Sequence, residues 1–225
     1  MPNEIHLRLP SRISSSPTTA AGAATAAPPA NCPEISSTIP LLGTWYVLSS
    51  SIEFLKDKKN VSITYSLKEP DQPSTETDGG IVEFTDDTVL NSVTSYQSIS
   101  EDTDDVGTTE GTERPTPNSL PGIFTWRGTG FAKFITNRWE VLGYGKLPAE
   151  GSRPIREGDE QPMWMVIYAD KSMFTPPGLS IHSKGTKSLP PQTMDLIKKA
   201  LGGFQPKELK DSIREFLAYL FIHVA

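Results

Sequence analysis

Between Leu41 and His182 the chain is a series of short strand-like segments separated by turns, with no helical period among them. Strands in series, without helices to carry parallel crossovers, must pair antiparallel and bury one face of the sheet. The series opens at Leu41-Leu42-Gly43-Thr44-Trp45-Tyr46-Val47-Leu48. Gly43 lets the backbone turn tightly into a strand, and Trp45 is large enough to plug the end of a core. Val61 to Leu67 alternates, with Val61, Ile63, Tyr65 and Leu67 on one face and Ser62, Thr64 and Ser66 on the other. That period of two marks a strand with one buried and one wet side. Ile81 to Phe84 and Thr88 to Tyr96 flank Thr85-Asp86-Asp87 and read as a hairpin. Ile123 to Arg127, Phe131 to Phe134, Trp139 to Tyr144, Met163 to Tyr168 and Leu179 to His182 follow. Roughly eight strands at this spacing predict a closed antiparallel barrel or a sandwich.

The flanks differ in composition. Residues 1–38 are rich in Ser, Thr, Ala and Pro and are expected to form a disordered tail. They hold no continuous apolar stretch of the kind a secretory signal requires, so a cytoplasmic location is expected. Arg8 and Arg12 in an acid-poor, Ser-rich setting leave a mitochondrial transit segment as the alternative. Residues 98–121 carry Glu101, Asp102, Asp104, Asp105, Glu110 and Glu113 among Gly, Thr and Pro, and are expected to be a solvated acidic loop inserted in the barrel. After Pro190-Pro191, Met194, Ile197 and Leu201 share a helical face, predicting a packed helix over 190–202. A second amphipathic helix is expected over 205–225, from Leu209, Ile213, Phe216, Leu217 and Leu220, and offers a surface for a protein partner.

Charge and motif content narrow the chemistry. A net charge of -6 argues against nucleic acid as a partner. No apolar run approaches the ~18–20 residues that span a bilayer, so no integral membrane segment is expected. The single Cys32 lies in the tail without a partner thiol or a base, which excludes an internal disulfide and argues against a thiol nucleophile. The histidines are His6, His182 and His223, too few and too scattered for a His-rich metal site. No phosphate-binding loop, dinucleotide fingerprint or nucleophile elbow is present, so no cofactor, no metal and no catalytic residue is assigned. His182 is the one side chain of the strand series with a pKa ordinarily near neutrality, and alternation assigns the inward face to its neighbour Ile181.

The order of these segments resembles the lipocalins of the calycin superfamily, nearest to the bacterial lipocalin and apolipoprotein D type. Gly43-Thr44-Trp45-Tyr46 resembles the Gly-x-Trp motif of the first strand, and Asn60 to Leu67 the second strand. Gly130-Phe131-Ala132-Lys133-Phe134 resembles a Gly-x-Ala-Lys-Phe segment of the middle strands, and Val166-Ile167-Tyr168-Ala169-Asp170 the strand ending in Thr-Asp-Tyr. Leu179 to Lys184 resembles the last strand, with Lys184 where the family carries Arg, and Leu189 to Phe204 the helix packed on the barrel. The resemblance implies an eight-stranded antiparallel up-and-down barrel over about residues 39–204, followed by C-terminal helices. It also implies that Gly43, Trp45 and Lys184 close the barrel floor, the cation over the indole, as a structural device. It further implies a small hydrophobic ligand, lipid or otherwise, in a carrier or storage role. If alternation holds, Tyr65, Phe124, Trp126, Trp139, Trp164 and Tyr168 line the cup, together with Val47, Ile63 and Val141. The alternatives are a cofactor-free isomerase or cyclase of the pericyclase kind, acting on an apolar natural-product intermediate, and an interaction module using the terminal helix.

Overall fold

The computed structural model describes residues 4–14, 35–68, 83–100, 104–147, 161–172 and 175–204. Eight strands run in chain order: β1 (Gly43–Ser50), β2 (Lys58–Leu67), β3 (Leu90–Ser98), β4 (Gly107–Pro115), β5 (Ile123–Gly128), β6 (Thr136–Lys146), β7 (Met163–Ala169) and β8 (Gly178–Lys184). Each pairs antiparallel with its sequence neighbours, and β8 returns to β1 to close the barrel. Closure removes the exposed edges that an open sheet of this size would leave. A short helix α1 (Ser11–Ser14) precedes the barrel, and α2 (Pro191–Gly202) packs on its outside.

One end of the barrel is plugged. Ile35, Ile39 and Leu41 are buried beneath Trp45, Leu90 and Phe124. The Trp45 indole donates to the Leu41 carbonyl at 2.8 Å, tying the incoming chain to the first strand. Trp45 and Lys184 face each other across β1 and β8. The Lys184 ammonium donates to the Leu42 carbonyl at 2.6 Å and stands 6.0 Å from the centroid of the Trp45 ring. That distance is the outer reach of a cation–π contact, so the carbonyl bond is the stronger tie.

Four segments depart from the sequence expectation. First, β4 lies inside residues 98–121, where a solvated loop was expected. Its outward face is exposed and polar, and its inward face carries Gly107, Thr109, Gly111 and Glu113, so no apolar alternation betrays the strand. Pairing with β3 and β5 holds it instead. Second, Phe84 is not in a strand; its N–H donates to the Ser37 carbonyl at 3.0 Å and its ring meets Phe124 edge-on at 5.3 Å. The partners of β3 are therefore β2 and β4, while Ile81 and Val82 lie outside the described residues. Third, the segment expected as a strand at Phe131 to Phe134 forms a 3₁₀ turn over Gly130–Ala132, with Phe131 and Phe134 exposed. Gly130 takes φ 56°, a left-handed value that suits glycine and ends the extended run.

The fourth departure is the start of the chain. Residues 4–14 are packed on the outside of β6 to β8, with Ile5 buried and Leu7, Leu9 and Ile13 against the same layer. Arg8 anchors this strap: its N–H donates to the Leu142 carbonyl at 2.8 Å, and its guanidinium to the carbonyls of Pro121 and Gly122 at 2.7 and 3.3 Å. The strap crosses β6 at Gly143, where a Cβ would come within 2.6 Å of Leu7. A tail expected to be disordered is thus ordered in part, because alternate apolar residues in a short stretch find a ready apolar face. The rest of residues 1–38 up to Ile35, and residues 205–225, lie outside the described residues.

Candidate functional site

The barrel interior is lined by alternate residues of each strand. Tyr65, Phe124, Trp139 and Val141 face inward in one cluster with Trp45, Leu90, Met163, Met165 and Ile167. Phe124 and Trp139 stack at 4.8 Å, and Tyr65 lies 6.2 Å from Trp139. Trp126 also packs against this cluster, lying over Gly111, where a Cβ would meet the indole nitrogen. Val47 belongs to a separate cluster with Leu55 and Val61, against which Ile63 and Tyr96 pack.

Trp164 and Tyr168 are not in the cup. Both belong to the outer layer, with Ile5, Ile197, Leu201 and Phe204. The phase of β7 differs by one residue from the expected alternation, because every residue of the strand is buried. A strand covered on both faces shows no alternation, and a slip of one turns every side chain over. Met163, Met165, Ile167 and Ala169 face inward instead.

The same slip affects β8. Ile181 packs outward against α2, and His182 faces inward opposite Val47 and Met165, fully buried. Its Nε2 is 2.9 Å from the Ser180 hydroxyl, while Nδ1 finds no partner among the described residues. Burial pushes its pKa down from 6.5 to about 3, so it is a neutral core histidine. A histidine whose folded pKa is depressed contributes stability that is complete above about 6.5 and lost as pH falls toward 3. His182→Leu is therefore expected to flatten the acid limb of Tm against pH, the Ser180 hydroxyl keeping its 3.1 Å bond to the Ser49 carbonyl. Thermal melts from pH 4 to 7 check this.

The polar centre of the interior is Glu113, which lies in the segment whose composition predicts a solvated loop. It is 3% exposed and stands opposite Leu90 on β3 and Trp126 on β5. The Trp139 indole donates to its Oε2 at 2.8 Å. The Ser92 hydroxyl, itself accepting from the Trp126 indole at 3.2 Å, is a second hydrogen-bond partner. Burial raises its pKa from 4.5 to about 7, against the opposing effect of the two hydrogen bonds. Burial and the nearby Glu113 charge push the Tyr65 phenol well above its ordinary value, so it stays protonated. Among the described residues no basic side chain forms an ion pair with Glu113. No sequence signal distinguished it from Glu110, since burial alone sets the two apart.

Outside the barrel, the strap and α2 border an open groove of about 740 Å³, lined by Ile5, Leu7, Leu9, Leu196, Ala200 and Phe204 among others.

An eight-stranded closed antiparallel barrel with a Gly-x-Trp start, a plugged floor and a helix on its wall has the architecture that the resemblance to the lipocalins implies. Solved structures similar to this chain include the siderocalin Ex-FABP, at 14% identity over 79% of this chain and 91% of that one, with a TM-score of 0.44. Lobster apocrustacyanin A1 is 12% identical over 72% of this chain and 70% of its own, TM-score 0.42. The amine-binding protein of Rhodnius prolixus, solved with tryptamine, is 10% identical over 82% and 89%, TM-score 0.41. These likenesses concern the fold alone. No protein-family model and no curated protein matches the sequence. No helix among the described residues is long and apolar enough to cross a membrane.

Proposed function

We propose that this barrel binds a small apolar molecule against its inward aromatic face, with Trp126 at the accessible edge and Tyr65, Trp139 and Phe124 packed behind it. The observation that carries this reading is a gradient along the interior. At the plugged end Trp45, Leu90 and Phe124 are fully enclosed, whereas inward-facing Ile63, Thr94, Tyr96, Trp126 and Asn137 keep accessible surface toward the other end. The open end therefore presents the aromatic surface on which a flat apolar ligand can stack. The mouth is rimmed by apolar and aromatic groups, with Phe54 edge-on to Tyr96 at 5.4 Å and the Lys58 ammonium 5.1 Å from the Tyr96 ring.

A cytoplasmic site of action goes with this reading. Arg8 and Arg12, the residues suggestive of a transit segment, are engaged with Glu140 and Asp170 in the folded protein, at 3.7 and 3.1 Å. A segment removed on import would take those contacts with it. The interaction-module reading rests on residues 205–225, outside the described residues.

The test is a titration with fatty acids, terpenoids and polyketides, followed by indole fluorescence, with each bound compound recovered for mass and retention. Saturable quenching is expected to be largely lost in Trp126→Phe and kept in Trp164→Phe, whose ring lies outside the barrel. A response that survives in Trp126→Phe and disappears in Trp164→Phe would move the site to the outer groove. A compound returned unchanged identifies a carrier, and an isomer of equal mass identifies an enzyme.

A further inference from the structure

We infer that Glu113 is a proton-transfer group for a ligand held in the barrel, and that the ligand is an apolar carbon acid such as an enolisable ketone or a conjugated polyene carbonyl. This rests on the barrel-binding reading and deepens it from carrier to cofactor-independent isomerase.

The first argument is the cost of the residue. A carboxyl buried in an apolar interior without a cation is destabilising, and a hydrophobic side chain of similar volume would pack there more favourably. Glu113 has neutral donors in place of a cation. It does not hold the strand together, since its neighbours on β4 pair through their backbone.

The second argument is orientation. The Trp139 indole fixes Oε2 at 2.8 Å, and Phe124 stacked on that indole keeps it from turning away. Ser92 accepts from the Trp126 indole at 3.2 Å, which directs its own proton toward the carboxyl. The carboxyl is therefore held in one pose before any ligand arrives, as a proton-transfer group requires.

The third argument is what stands beside it. Trp126, opposite Glu113 across β4 and β5, keeps accessible surface, so a flat apolar ligand stacked on that ring comes next to the carboxyl. Tyr65 lies near enough for the Glu113 charge to act on its phenol, which stays protonated and able to donate to a developing oxyanion. A Glu113 pKa of about 7 supports the role, because both protonation states are then populated near neutrality.

The step balances without an added reagent. The Glu113 carboxylate takes a proton from a ligand C–H, and the C–H electron pair moves into a new C=C as charge passes to the conjugated oxygen. Tyr65 donates a hydrogen bond to that oxygen. The Glu113 carboxylic acid then returns the proton to a different carbon, leaving an isomer of equal mass and the enzyme as it began.

The test uses the full chain and 5-nitrobenzisoxazole, a flat apolar carbon acid. A base removes its ring C–H proton, the electron pair forms a nitrile, the N–O bond breaks, and a coloured phenolate is released. The wild-type rate is expected to saturate with probe and to rise as pH passes through about 7. Glu113→Gln is expected to lower kcat/KM about 100-fold while fluorescence binding of the probe is kept, and Glu113→Asp to retain part of the rate. Full activity in Glu113→Gln would overturn the assignment. So would a wild-type rate no greater than that of acetate at equal concentration while the probe still quenches Trp126, and barrel binding would then stand alone. Neither quenching nor turnover would overturn both readings.

Discussion

Glu113→Gln is expected to make the protein more stable on the alkaline side of neutrality, the reverse of what loss of a buried hydrogen-bonding residue ordinarily does. The amide keeps an oxygen for the Trp139 indole and removes the charge. A carboxyl whose folded pKa is raised from 4.5 to about 7 contributes stability that is complete below about 4.5 and lost as pH rises through 7. The shift corresponds to roughly 3 kcal/mol between the two ends of that window, at ~1.4 kcal/mol per pKa unit. For a domain of this size that is about 6–12 °C in Tm. Melts of both proteins from pH 4.5 to 8.5 should therefore diverge, the wild type losing stability relative to the variant as pH rises through about 7. Parallel curves would mean that the carboxyl is solvated and the burial argument wrong. His182 acts in the opposite direction from about 6.5 down toward 3, so in the wild type the two effects offset each other where their windows overlap, and the Glu113 effect is read as the difference between the two proteins at each pH.

Arg8→Ala is expected to be among the most damaging single changes in the chain, although Arg8 lies in a stretch that reads as a tail. Glu140 is fully buried beneath the strap, accepting from the Ser11 N–H at 2.9 and 3.1 Å and lying 3.7 Å from Arg8 and 3.8 Å from Arg138. Burial raises the Glu140 pKa, and Arg8 is the largest influence pulling it back. Removing one partner of a buried pair costs up to about 3–5 kcal/mol, and here the Ser11 N–H and Arg138 stay beside Glu140 and offset part of that loss. Arg8 also ties the strap to the Pro121 and Gly122 carbonyls, so those acceptors would lose their donor. With Arg8 gone the Glu140 pKa rises further, so the deficit should be larger at pH 8 than at pH 5. In a Glu140→Gln background the same Arg8→Ala change should cost much less, and the difference is the coupling between them. Denaturant melts of the four proteins measure it. Equal losses in both backgrounds would show that Arg8 acts through the carbonyls alone.

The strands that could be read in advance are those with one dry and one wet face. β2 alternates over Val61, Ile63, Tyr65 and Leu67, and its inward residues are the ones so predicted. β4 could not be read, because glycines and a carboxyl take the inward positions and polar residues the outward ones. Aromatic rings from neighbouring strands fill the space above those glycines: Tyr96 over Gly107 and Trp126 over Gly111. A Cβ at either glycine would collide with the ring, so the pairing explains both residues at once, yet only when the strands are side by side. The exposed Phe131 and Phe134 show the converse, since apolar residues alone do not make a strand where glycine turns the chain.

Local period and turn chemistry are written residue by residue, and they suffice for an all-β chain of short antiparallel strands, opened by Gly43 and Trp45 and followed by a helix expected at 190–202 and found at Pro191–Gly202. Only the tertiary structure decided which way β7 and β8 face, that Arg8 clamps a buried carboxylate, and that Glu113 rather than any histidine is the ionisable group at the aromatic centre. The reason is physical. Burial is a property of what lies across the barrel or over its wall, and neighbours distant in sequence supply it.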